Sequence, residues 1–165
     1  MVTDKEFIAT EAEKKMEENY YFSQYIKERP ADQLDAILQP VSDAVTRAVD
    51  CTQCGACCKV LMVNVTQAEA KSAARRLQLS ETAFKEKYIE ESQQGQYIIS
   101  HIPCHFLSGK ICSIYEDRFT ECRDFPHLHK PNFKDRVSNT LTYYGICPII
   151  YNTIEILKEK TGFRL

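Results

Sequence analysis

The chain has 165 residues and a mass of 19.1 kDa, the size of one ordinary domain. Apolar residues make up 44% and charged residues 27%, a globular composition that excludes a disordered or fibrous protein. The net charge of −2 predicts no general electrostatic attraction to nucleic acid or anionic lipid. The longest apolar runs, Val60–Val63 and Gly145–Tyr151, are far shorter than the roughly 18–20 residues of a membrane span. The polar N-terminus predicts no secretory signal.

Charge is distributed unevenly along the chain. Residues 1–50 carry six Lys or Arg against eleven Asp or Glu, whereas residues 51–165 carry fifteen against twelve. We therefore expect an acidic N-terminal helical hairpin at residues 1–49. A cysteine-cluster metal-binding domain should follow at residues 50–165, and the two should form one compact unit overall.

The N-terminal part reads as two helices. The first is expected over about residues 3–27, with Thr3 as its N-cap and Glu6 as the partner in a capping box. The second is expected over about residues 31–49, where apolar side chains recur with a period of 3.6 residues. Pro40 lies off that apolar stripe and predicts a kink or a new helix, because proline has no N–H to donate.

Beyond residue 50 the pattern predicts short elements in this order: a strand at 60–65, helices at about 66–77 and 81–91, a strand at 97–102 and a hairpin at 104–115. Residues 116–139 are expected to be rich in loops. A last helix should begin at Pro148, run to about Lys160 and end at Gly162. The predicted fold class is mainly α with small β-strands and a hairpin, in a single cysteine-cluster domain organised by metal.

Eight cysteines are the unusual feature of the composition. With no export signal, we expect a cytoplasmic protein whose thiols stay reduced and bind metal rather than form disulfides. Four of them lie in the segment Cys51-Thr-Gln-Cys54-Gly-Ala-Cys57-Cys58. A C-x2-C spacing lets two sulfurs reach one metal around a tight turn, for which Gly55 supplies backbone freedom. Thiolates are soft ligands, typical of zinc and iron–sulfur sites.

The other four cysteines are Cys104, Cys112, Cys122 and Cys147. With the first four, they provide either two tetrathiolate sites or one site with further thiols nearby. Cys57 and Cys58 are adjacent, and neighbouring side chains point in different directions. We therefore expect them to serve different metal atoms, or one to bind while the other packs. Cys147 precedes Pro148, which is similar to the Cys-Pro of ferredoxins, although here the pair is remote in sequence.

Histidine and arginine side chains supply further candidates. Any of His101, His105, His127 and His129 could replace a thiolate, although a surface or supporting role is commoner for such residues. Arg118 and Arg123 could donate to sulfur and offset the charge of a tetrathiolate site, about −2 with zinc or an oxidised four-iron cluster. Alternatively, the two arginines form solvated surface ion pairs.

The order of these motifs resembles the YkgJ-type cysteine-cluster family, also called the CxxCxxCC zinc- or iron-chelating domain. The resemblance covers about residues 50–150 and rests on Cys51–Cys58, Cys104-His-Phe-Leu, Cys112-Ser-Ile-Tyr-Glu-Asp-Arg118 and Cys122-Arg-Asp-Phe-Pro126. It implies that the cofactor ligands are Cys51, Cys54, Cys57, Cys58, Cys104, Cys112, Cys122 and Cys147, with Arg118 and Arg123 as the characteristic arginines. The chain departs from the family at Phe119, where proline is common. The family is similar to a region of flagellin lysine N-methylases.

The residues themselves give no catalytic constellation. The sequence has no dinucleotide-binding or Walker loop, no serine nucleophile elbow and no radical S-adenosylmethionine motif, so enzymatic activity stays undecided. The predicted function is binding of a metal cofactor, with an iron–sulfur cluster, of the [4Fe–4S] type, favoured over zinc. The alternatives are a zinc-binding structural or interaction module and an activity similar to protein-lysine N-methyltransferases. A protein partner is open, and neither nucleic acid nor a membrane span is expected.

Overall fold

The computed structural model describes residues 1–165, and the chain divides into two compact units. The first unit contains Met1–Asp50 and Pro126–Leu165, and the second contains Cys51–Phe125. The sequence-based division places residues 126–165 with the cysteine cluster. In the structure they lie with the N-terminal helices, because helices from both ends of the chain bury their apolar faces against one another.

The fold is mainly helical with a few short antiparallel strands, as predicted. The α-helices are α1 (Lys5–Lys14), α2 (Met16–Lys27), α3 (Ala31–Ala48), α4 (Gln67–Arg76), α5 (Glu81–Tyr88), α6 (Thr120–Asp124), α7 (Phe133–Leu141) and α8 (Pro148–Thr161). The strands are β1 (Val63–Val65), β2 (Glu90–Glu91), β3 (Tyr97–Ile99), β4 (Leu107–Ser108) and β5 (Ile111–Cys112). Short 3-10 turns lie at Cys51–Gln53, Cys57–Lys59 and Tyr115–Asp117. No helix combines the length and the apolar character that crossing a membrane requires.

The N-terminal helices differ from the prediction in two details. The first predicted helix is divided at Lys15 into α1 and α2, and its N-cap is Asp4, so the predicted cap at Thr3 was wrong. The Asp4 carboxylate accepts hydrogen bonds from the backbone N–H groups of Glu6 and Phe7, each at 3.0 Å. Helix α3 continues through Pro40, so no new helix starts there, and a kink at Pro40 stays a prediction. We attribute the continuity of the helix to the buried apolar stripe of α3, which packs on α7 and α8 and offsets one missing hydrogen bond.

The core of the first unit is formed by large apolar side chains from five helices. Helix α3 packs on α8 and α7, α2 packs on α7, and α1 packs on α2 and α8. Fully buried side chains include Ile8, Phe22, Leu38, Phe133 and Ile154. The buried ammonium group of Lys158 forms ion pairs with Glu18 and Glu155, each at 2.8 Å. This pairing satisfies the cation inside an otherwise apolar region.

The segment predicted to be rich in loops also contains α6 and most of α7. The N-cap residue of helix α7, Asn132, makes no capping hydrogen bond with its side chain. The first N–H groups of α7 are satisfied from α3, where the Asp35 carboxylate accepts from the N–H of Asn132 at 2.6 Å and of Phe133 at 3.1 Å. A helix capped by a residue so distant in sequence gives no local start signal.

The second unit is built on a small sheet with the strand order β1-β3-β2, all antiparallel. Helix α4 begins with the predicted capping box, in which Thr66 and Glu69 bond each other's backbone N–H. A separate hairpin pairs β4 with β5, and Leu107 lies opposite Cys112. One hydrophobic cluster lies between these elements: Val63, Val65, Ala70, Ala73, Ala74, Phe84, Tyr97, Ile99, Phe106, Ile114 and Phe119. Cys104, Cys112 and Cys122 pack against this cluster.

Candidate metal centre

The segment that holds the first four cysteines folds as two 3-10 turns with Gly55 between them. Gly55 has a φ of +62°, and a Cβ placed there would lie 2.7 Å from the carbonyl oxygen of Lys110. Glycine is therefore required both by the left-handed backbone and by the close approach of the β4–β5 hairpin. The predicted need for backbone freedom at Gly55 is confirmed. The close contact also fixes this segment beside the strand that carries Cys112.

Four thiols from four separate segments converge on this region. The backbone N–H of Cys104 donates to the carbonyl oxygen of Cys58 at 2.7 Å. Burial and, to a smaller extent, the nearby thiols of Cys104, Cys58 and Cys112 together raise the pKa of the Cys122 thiol to about 12. Burial likewise raises the pKa of Cys104 and the pKa of Cys112. The nearby Cys58 raises both pKa values as well. Such mutual effects arise only between neighbouring groups, because thiolates repel one another.

Two of these sulfurs also accept hydrogen bonds in the same local geometry. The backbone N–H of Phe106 donates to the sulfur of Cys104, and that of Ile114 donates to the sulfur of Cys112. In both cases the donor lies two residues after the cysteine, and in both cases the donor's side chain is buried. N–H groups aimed at sulfur stabilise its negative charge and orient it as a ligand. The cysteine spacing does not indicate these donors, because every residue except proline carries a backbone N–H.

Because Cys57 and Cys58 are adjacent, their side chains are expected to point in different directions. They lie in one 3-10 turn, and their thiols are hydrogen-bonded to each other. This hydrogen bond lowers the pKa of Cys58 to about 7, against a raising effect of burial. Cys58 is thus the member of the group that loses its proton most readily. That the two cysteines serve different metal atoms, or that one binds while the other packs, stays a prediction.

The other predicted ligands lie in different surroundings. Cys51 is exposed and Cys54 is half-buried, at the start of the same segment. Cys147 is buried in the first unit, immediately before α8. None of the eight cysteines forms a disulfide. The structure therefore brings together Cys58, Cys104, Cys112 and Cys122, with Cys57 in contact with Cys58.

Of the two predicted arginines, Arg118 lies near the converging thiols. Its positive charge lowers the pKa of Cys112 and Cys122, acting against the larger effect of burial. The Arg118 guanidinium donates a 2.9 Å hydrogen bond to the backbone carbonyl oxygen of Tyr115. It also lies 3.9 Å from the centre of the Tyr115 ring. Arg123 is exposed on α6.

The four histidines are divided between the two units. The rings of His101 and His105 are stacked with centres 4.1 Å apart, on the segment that contains Cys104. His127 and His129 lie in the first unit, where the carbonyl oxygen of His129 accepts a hydrogen bond from Gln39. Two of the four histidines therefore belong to the unit that holds the converging thiols.

The donor set fits a soft metal in its chemistry. Four neighbouring thiols, three of which have raised pKa values, are an arrangement that a cation stabilises, because a central positive charge offsets the repulsion between thiolates. No group of three or more His, Cys, Asp or Glu side chains is arranged so that it could hold a metal ion directly. The fit is one of donor type and convergence rather than of closed coordination.

Comparison with known families gives a match over residues 50–147, to the CxxCxxCC model described as "Putative zinc- or iron-chelating domain". The chain belongs to the CxxCxxCC family. The match includes all eight cysteines, since the first is Cys51 and the last is Cys147. No curated protein and no solved structure matches the chain. The family description names zinc or iron, the two metals expected from the sequence. The relation to flagellin lysine N-methylases stays a prediction.

Proposed function

We propose that this protein binds an iron–sulfur cluster in its second unit, with Cys58, Cys104, Cys112 and Cys122 as the central ligands. Cys51, Cys54, Cys57 and Cys147 complete the pool of eight candidate ligands. The observation that carries the proposal is the convergence of four thiols from four separate segments. Thiolates are the ligands of iron–sulfur clusters, and four is the number that such a cluster takes.

Iron–sulfur is favoured over zinc by three features of this chain. The overlapping C-x2-C-x2-C-C spacing is dense, and Cys147 is followed by proline, a pairing found in ferredoxins. Backbone N–H groups donate to the sulfurs of Cys104 and Cys112, and such bonds tune the potential of iron–sulfur clusters. A cluster bound here would supply one-electron chemistry.

The surrounding residues have identifiable tasks towards such a group. Phe106, Ile114 and Phe119 exclude water from the side on which the cysteines pack, since each is no more than 4% exposed. Arg118 offsets part of the negative charge of the thiolates. The bonds from the N–H groups of Phe106 and Ile114 keep two sulfurs oriented before any metal arrives.

The test is purification of the full chain without air, followed by absorption spectroscopy and iron, sulfide and zinc analysis. A brown protein with a broad band at about 400 nm and stoichiometric iron and sulfide is the expected result. Cys58→Ser, Cys104→Ser, Cys112→Ser and Cys122→Ser should each lose most of the iron. Ser113→Ala, beside Cys112, is the matched control and should retain it.

A colourless protein with stoichiometric zinc would reject the iron–sulfur proposal and establish the zinc-binding module instead. Cys147→Ser gives separate information, because this residue lies in the other unit. Full retention of iron in this variant would remove Cys147 from the ligand pool, whereas partial loss of iron would show that it contributes.

A further inference from the structure

Every large apolar side chain that is exposed in the second unit lies close in sequence to one of the central cysteines. Val60 is 39% exposed and Met62 is 65% exposed, and both follow Cys58. Ile102 is 45% exposed and precedes Cys104, while Ile111 is 56% exposed and adjoins Cys112. We call these four side chains the apolar patch. Clustered exposure of this kind marks an interaction surface, whereas scattered single residues do not.

The segments that carry the apolar patch lie against one another. Val63 pairs with Ile99, and the backbone N–H of Cys104 donates to the carbonyl oxygen of Cys58. Residues 58–63 and 99–104 therefore run antiparallel side by side. The hairpin that carries Ile111 is brought to the same place by the close approach of Lys110 to Gly55. The patch therefore lies on the same adjoining segments that carry Cys58, Cys104 and Cys112.

The residues that flank the patch in sequence are basic and not acidic. Residues 57–62, 100–105 and 108–112 contain Lys59, Lys110, His101 and His105 and no acidic residue. Lys59, Lys110 and His101 each immediately precede one residue of the patch, and all three are exposed. An apolar centre with a basic rim is complementary to a protein surface with an apolar centre and a carboxylate rim.

Single-stranded nucleic acid is a poorer fit to the same surface. Its binding needs exposed aromatic rings on which bases stack, and the four exposed residues of the patch are all aliphatic. From the patch, its basic rim and its place on the segments that carry the central cysteines, we propose that this face docks a small acidic electron-carrier protein of the ferredoxin type. The proposal rests on the proposed function, because an electron carrier requires a redox-active group in this unit.

The test uses the cluster-loaded full chain and a purified, acidic plant-type ferredoxin as the probe, with binding followed by calorimetry at low and high salt. We expect binding that weakens with salt, because charged groups form the rim. The double variant Lys59→Glu, Lys110→Glu should weaken binding by at least about tenfold. The double variant Met62→Ser, Ile111→Ser should weaken it at both salt concentrations. The matched control is Lys71→Glu, Arg75→Glu on α4, which should stay within about twofold of the original.

Absorption spectra of each variant separate the possible failures. A cluster-bearing protein that does not bind the ferredoxin overturns the docking proposal and leaves the proposed function in place. Equal weakening by the α4 control variant overturns the docking proposal as well, since charge alone would then explain the binding. Binding of a single-stranded RNA oligonucleotide in preference to the ferredoxin also overturns it. A protein without a cluster overturns both proposals.

Discussion

At the scale of single residues, Gly55 brings two segments of the candidate centre together. Its positive φ lets the chain turn between the two 3-10 turns, and its missing side chain lets the Lys110 carbonyl approach. Gly109 has a similar φ of +64° but faces open space, with nothing within 4 Å of an added Cβ. The two glycines therefore separate the effect of backbone conformation from the effect of packing.

Gly109→Ala should lower the free energy of unfolding by about 1 kcal/mol, the usual order for a left-handed residue. Gly55→Ala should cost about 1–3 kcal/mol more, because the new methyl group overlaps a backbone oxygen that cannot rotate away. Denaturant unfolding of both variants checks this difference. Equal losses of stability would show that the Gly55–Lys110 approach has no energetic importance.

At the scale of elements, Glu69 links α4 to α6 in the second unit. Its carboxylate closes the capping box with Thr66 and also accepts from the backbone N–H of Thr120 at 2.7 Å. Although burial raises the pKa of Glu69, these hydrogen bonds outweigh the effect of burial and lower the pKa to about 2. Thr120 begins α6, the helix that presents Cys122. The position of one candidate ligand thus depends on an ionised side chain of another helix.

The pKa of Glu69 predicts a pH dependence of stability. Because its pKa is below the ordinary value of 4.5, the stabilisation is complete above about pH 5 and is lost as the pH falls towards about 2. Glu69→Gln should lower the free energy of unfolding by about 1 kcal/mol at pH 7, and its difference from the original protein should shrink below pH 4.5. Urea unfolding at a series of pH values measures this difference. Glu86→Gln, on the exposed surface of α5, is the control, and a constant difference for Glu69→Gln would contradict the prediction.

At the scale of the whole molecule, the two units differ in what holds them together. The first unit has a core of large apolar side chains from five helices. The second has short strands and places three cysteines against its hydrophobic cluster. A structural thiolate site contributes about 10–16 kcal/mol in zinc peptides, comparable with the total stability of about 5–15 kcal/mol of a domain. We therefore expect the second unit to depend on its metal far more than the first.

Removal of the metal by a chelator should reduce hydrogen-exchange protection in β4, β5 and the Cys51–Cys58 segment by about tenfold or more. Helices α3 and α8 should keep their protection, because their stability comes from apolar packing. Mass spectrometry of peptic fragments with and without chelator measures both regions in one sample. A uniform loss over the whole chain, or no loss in the second unit, would contradict this expectation.

The sequence by itself determined those features whose hydrogen bonds or periodicity are local. These are the apolar stripe of α3, the capping box at Thr66, the hairpin turn near Gly109 and the start of α8 at Pro148. The cysteine spacing likewise indicated a soft metal and the family. Each of these signals lies within a few residues of the feature that it predicts.

Only the tertiary structure decided which thiols meet. Cys58 and Cys104 are distant in sequence, and their approach depends on the β1–β3 pairing and on the hydrogen bond between their backbones. The cap that Asp35 gives to α7 and the approach of Lys110 to Gly55 are non-local in the same way. Such contacts depend on how the chain closes over long separations, which neither spacing nor periodicity encodes.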